Sequence, residues 1–140
     1  MPRPDEQPQW QPISRLPLIA SHIDEWLINS EEQYATMLPA RERPHSLDDY
    51  TVGRVIKVFT EQKNDLWLWE TQIARWKKDD LTSAQRQEVE RLGRQLAKVR
   101  ETIDSILALA KELSEGTIEK ILAKSDFEVG LEFLLGKRKL

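Results

Sequence analysis

Hydrophobic residues recur through the middle of the chain at alternating spacings of three and four. With Val52 as heptad position a, the a series is Val52, Phe59, Leu66 and Ile73, and the d series is Val55, Gln62, Trp69 and Trp76. That alternation puts the side chains on one stripe of an α-helix. Only Gln62 is polar, and neither proline nor glycine interrupts the run between Gly53 and Asp80. The pattern predicts a helix over 46–79, with Ser46 as N-cap and Asp49 at N3 of an approximate capping box.

A second array follows at once. Position a holds Val89, Leu96, Ile103 and Ala110; position d holds Gln85, Leu92, Val99, Ile106 and Leu113. Thr82-Ser83-Ala84-Gln85 has the form of a capping box and Gly116 that of a C-terminal stop, so this helix is expected over 82–114. The two helices match in length, at about 30 residues or roughly 45 Å each. Only Asp79-Asp80-Leu81 or so separates them. A connection that short makes consecutive helices antiparallel neighbours. The heptads then align Trp76 with Gln85 and Val89, Leu66 with Leu96, and Phe59 with Ile103, to within a turn. Gln62 falls opposite Val99.

Weaker patterns flank this hairpin. Ile19, Ile23, Trp26 and Met37 share one face of a helix expected over 18–38, with Leu27 and Tyr34 beside them and Ser30 and Gln33 interrupting the seam. Pro39 ends it, and 39–44 reads as a loop. Residues 1–17 hold five of the seven prolines and read as an extended segment. Trp10, Ile13 and Leu16 can pin its second half to the body. Two short helices are expected beyond Gly116. One spans 117–124, capped by Thr117; the other spans 126–135, behind the capping box Ser125-Asp126-Phe127-Glu128. The fold class is therefore all-α: a single helical domain over 18–140, a bundle built on a long antiparallel hairpin of coiled-coil periodicity.

Charge changes the picture by exclusion. Lys and Arg number 21 against 24 Asp and Glu, a net charge of −3, with neither sign gathered into one segment. Such a surface has no bulk affinity for phosphate backbones or anionic membranes. Without cysteine, the chain has no disulfide, thiolate nucleophile or thiolate metal site. No apolar run approaches membrane-spanning length and the N-terminus lacks a signal-peptide core, so the cytoplasm is the expected compartment.

Candidate chemistry is sparse. His22 with Glu25 reverses the Glu-x-x-His order of helical di-metal sites and has no second copy. His45 lies in a loop without partners in sequence. Both read as surface histidines. The carboxylates alternate with lysines and arginines as on a solvated helix face. The glycines are too scattered to cradle phosphate, and no serine sits in a nucleophile elbow. Neither an enzyme nor a cofactor is expected.

Two features remain. Trp67 and Leu68 fall at heptad positions b and c, pointing away from the hairpin partner, so another surface is expected to cover them. That surface is another part of this chain or a second chain. Arg75, Lys77, Lys78, Arg86, Arg94 and Lys98 lie near the hairpin tip and along the third helix, where they offer a basic stripe. The pattern resembles helical hairpins and bundles in general, a class that does not itself fix function. The expectation is a protein-interaction module, a small adaptor, accessory or regulatory subunit that forms a homodimer or binds another protein. The alternative is a nucleic-acid-associated accessory factor using the basic stripe.

Overall fold

The computed structural model describes residues 8–117. The short helices expected over 117–124 and 126–135 lie outside the described residues beyond Thr117. Among the described residues there are three long helices: α1 (Leu16–Met37), α2 (Asp49–Lys77) and α3 (Ser83–Ser114). There is no strand among the described residues. The all-α bundle on a long hairpin is what the periodicity predicts.

Local chemistry sets the helix ends. Thr82 caps α3 through its hydroxyl, which accepts from the Gln85 backbone N–H at 3.1 Å. The Gln85 side chain accepts from the Thr82 N–H at 2.9 Å, so the capping box is complete. At α2 the expected cap is displaced. Ser46 closes a 3-10 turn, and Asp48 caps the helix by accepting from the Thr51 N–H at 2.7 Å. A carboxylate serves better there, because its charge also faces the positive end of the helix dipole. That bond to Thr51 holds the Asp48 carboxyl below its ordinary pKa. Helix α1 begins earlier than expected. Ile13–Arg15 form a 3-10 turn, and Pro17 sits in the first turn of α1 rather than in an extended segment. Proline is tolerated at that position because its missing N–H would have had no intrahelical acceptor.

α3 is the central helix. Its a and d residues from Val89 to Leu113 are buried, and Leu109 joins them. α2 packs against α3 antiparallel, as Glu70–Arg100 and Lys63–Asp104 contacts at 2.6 and 2.7 Å show. α1 lies along α3 in parallel, with Asp24 meeting Arg91 and Arg41 meeting Glu112. The result is an up-down-up bundle. At its far end the buried Thr117 donates to Asp49 Oδ1 at 2.5 Å, tying the end of α3 to the start of α2.

Three details depart from the heptad reading. Ile73 faces Gly93, which lies outside the a and d series of α3. In α2 the a residues are buried, but of the d residues only Trp76 is; Val55, Gln62 and Trp69 are half-buried. Gln62 and Trp69 border α1, where they meet Trp26. In α1 the buried line runs through Leu16, Ile23, Leu27, Ser30 and Met37, and Trp26 turns to the flank facing α2.

Two glycines sit inside helices without needing to be glycine. A Cβ at Gly53 would meet nothing within 4 Å, and one at Gly93 would lie 3.6 Å from Lys77 Nζ and 3.8 Å from Ile73 Cγ2. Those are ordinary van der Waals distances. Each glycine costs about 0.5–1 kcal/mol in a helix interior relative to alanine. Gly53→Ala with Gly93→Ala is therefore expected to raise the thermal midpoint by roughly 5 °C. Calorimetry of the double variant checks this, and an unchanged midpoint would reject it.

Candidate functional site

Leu68, Trp69, Gln72, Arg75 and Trp76 recur along one side of α2, next to the seam. Residues 8–12 run over this side as an extended strap. Pro12 holds φ −69° and ψ 157°, the extended conformation its ring favours. The strap is attached mainly through the backbone of Gln11. Its N–H donates to Gln72 Oε1 at 2.6 Å. Its carbonyl accepts from Gln72 Nε2 at 3.3 Å and from Trp76 Nε1 at 2.9 Å. Gln72 is 6% exposed and Trp76 1%. Both therefore need those bonds, since a buried polar group without a partner is costly. Trp10, half-buried, lies under the Arg75 guanidinium, 4.9 Å from the ring centre.

Open clefts border the strap on both sides. One, of about 280 Å³, is mostly apolar and runs between the strap, Ile19, Leu68 and Trp69. The other, of about 380 Å³, lies between Trp10, Gln11, Gln72, Trp76, Arg75, Lys78 and Asp79. Behind them an aromatic group joins α1 to α2. Trp26 and Trp69 are tilted together with centres 5.8 Å apart, and His22 meets Trp69 edge-on at 6.2 Å.

Trp26 also settles Gln62. Its indole N–H donates to Gln62 Oε1 at 2.7 Å, so the amide is bonded to α1 rather than idle opposite Val99. The heptad alignment alone favours Gln62→Leu as a stabilising change; with the bond present, the sign reverses. Gln62→Leu strands the Trp26 N–H and is expected to cost about 1–2 kcal/mol. Urea denaturation followed by circular dichroism checks it; a more stable variant would show that the bond contributes nothing.

The charged groups form surface pairs. Arg91 grips both oxygens of Asp24, at 2.8 and 2.9 Å, and also bonds Glu88. The Arg91 hydrogen bonds hold the Asp24 carboxyl below its ordinary pKa against the opposing effect of burial, with help from Gln95. Asp24 raises Arg91 in turn, and Glu70 raises Arg100. These side chains are more than a third exposed, where a pair adds about 1 kcal/mol or less. They fix the alignment of the helices more than their stability.

The residues singled out from the sequence fall in different places. Leu68 is half-buried and lines the apolar cleft. Trp67 is half-buried beside it, and its indole nitrogen is shut from solvent without a hydrogen-bond partner. The six basic residues are divided among five surroundings. Arg75 and Lys78 border the cleft beside Trp10 together with Asp79. Lys77 lies against Gly93 on the α3 side. Arg94 shares a cleft with Glu88, Glu90 and Arg91. Arg86 is turned to the carbonyls of Lys77 and Asp79 at the hairpin tip, and Lys98 is exposed on α3. Acidic neighbours interrupt the stripe at the tip and in the Arg94 cleft.

His22 and His45 are both exposed. Among the described residues, no group of three or more His, Asp or Glu side chains converges as metal ligands. No described helix is long and apolar enough to cross a membrane. The residue that sequence reading missed is Gln72. Its signal was faint: one amide flanked by Trp69 and Trp76, whose indole N–H groups need acceptors when buried. Compared with known proteins, the chain matches no family model, no curated protein and no solved structure.

Proposed function

We propose that this chain is a helical protein-interaction module, a small adaptor, accessory or regulatory subunit of the cytoplasm. Its α2 face bearing Trp67 and Leu68 meets a second copy of the chain in a homodimer. One observation carries the reading: Leu68 forms a wall of an open apolar cleft with Trp10, Ile19 and Trp69. Trp67 lies next to it in sequence and is only half-buried. Open, mostly apolar surface of this kind gains free energy when another surface covers it. Two-fold pairing is the commonest way for identical chains to achieve that.

Light scattering across a hundredfold concentration range tests the proposal on wild type and on the double variant Trp67→Glu, Leu68→Lys. The expected result is a wild-type dimer and a monomeric double variant with unchanged helix content. A wild-type monomer throughout rejects self-association. A double variant that stays dimeric moves the interface off this face.

A further inference from the structure

The strap's attachment has the chemistry of peptide recognition. Each of the three hydrogen bonds between α2 and Gln11 goes to its main chain, while its side-chain amide donates within the strap to the Gln9 carbonyl at 3.2 Å. Gln72 pairs with the N–H and the carbonyl of one residue, as a neighbouring strand does when an extended peptide is added to a sheet. Such bonds read backbone conformation, not side-chain identity. The side chain before Gln11 is read by Arg75, which stacks on Trp10. Both clefts share Trp10, Gln11 and Gln72 as walls and stay open on either side of the strap.

We infer that Gln72, Arg75 and Trp76 form a binding site for an extended peptide segment carrying a tryptophan beside a proline-flanked position, and that the chain's own residues 8–12 occupy it as an internal competitor. The ligand class follows from the resident segment, Pro8-Gln9-Trp10-Gln11-Pro12, which shows what fits. Prolines on both sides hold such a segment extended and lower the entropy lost on docking. Residents of this kind are exchangeable where their hold is local. Here the hold rests on one residue's backbone and one half-buried indole under an exposed arginine. A ligand that displaces the strap gains most by re-forming its bonds to Gln72 and Trp76. The inference does not depend on self-association through Trp67 and Leu68.

The test uses the full-length chain and a fluorescein-labelled synthetic peptide with the sequence of residues 8–14. Attached in cis, the strap competes at an effective concentration in the millimolar range. Weakening it with Trp10→Ala is expected to tighten peptide binding by about tenfold over wild type. In the Trp10→Ala background, Gln72→Leu should abolish binding and Arg75→Ala should weaken it about threefold. An unlabelled peptide with alanine in place of its tryptophan should compete about tenfold less well than the parent peptide. Circular dichroism verifies the fold of each variant. Arg75 is exposed, so Arg75→Ala decides the matter if Gln72→Leu does not fold. Absence of binding to the Trp10→Ala chain at millimolar peptide would overturn the inference. So would binding that neither Gln72→Leu nor Arg75→Ala reduces.

Discussion

Trp76→Ala is expected to destabilise the chain by about 3–5 kcal/mol, the range for emptying a buried tryptophan site. That is a large share of the roughly 5–15 kcal/mol that holds an ordinary domain together. Trp76 is 1% exposed at the end of the α2 seam, and its ring fills space that no small residue can. It also bonds the strap through its indole nitrogen at 2.9 Å. Trp76→Phe separates the two roles. Phenylalanine restores much of the buried ring but leaves the Gln11 carbonyl with only its longer bond to Gln72, 3.3 Å. That variant is expected to lose about 1–2 kcal/mol beyond any packing change. Native-state hydrogen exchange at the Gln11 amide should quicken in both variants, because strap and ring loosen together. Urea titrations followed at 222 nm give the energies. A Trp76→Ala loss below about 1 kcal/mol would mean the ring is not part of the core.

The second large effect concerns the central helix. Ile106→Ala is expected to cost about 2–5 kcal/mol, and Leu107→Ala, one residue along, about 1 kcal/mol or less. The two positions share one helix and similar distance from its ends, so propensity differs little between them. Burial separates them: Ile106 is fully buried, whereas Leu107 is half-buried at the core's edge. Ile106→Val, which removes a single methylene, should cost about 0.5–1.5 kcal/mol. Equal losses at Ile106 and Leu107 would show that α3 is rotated from the orientation described. That would also undo the parallel contact of α1 with α3.

How much of this was legible in advance differs from element to element. The a and d series of α3 were read correctly almost residue by residue, since a helix packed from two sides needs its whole stripe buried. The Thr82 capping box was equally legible, because its bonds join residues three apart. Asp48 displaced Ser46 because several residues nearby can cap a helix and the chain path chooses among them. The d positions of α2 were only half right. Periodicity reports that Val55, Gln62 and Trp69 lie on an apolar side, not how closely a neighbour approaches. Of the candidate site, Leu68 was visible as an apolar residue off the hairpin seam. Gln72 was not, because its partner is a backbone 61 positions away that no local pattern announces.

The chain by itself determined that it would form three long helices, where two of them end, and that the last two fold back on each other. Those outcomes depend on spacings of three and four, on caps, and on a connection too short for anything else. Tertiary structure alone decided that α1 runs parallel to α3. It also decided that Trp26 bonds Gln62, and that residues 8–12 cross α2 to meet Gln72, Arg75 and Trp76. The physical reason is range. Helix formation and capping are settled by groups within four residues of one another. A buried amide or indole takes its partner from whichever distant segment packing brings within 3 Å.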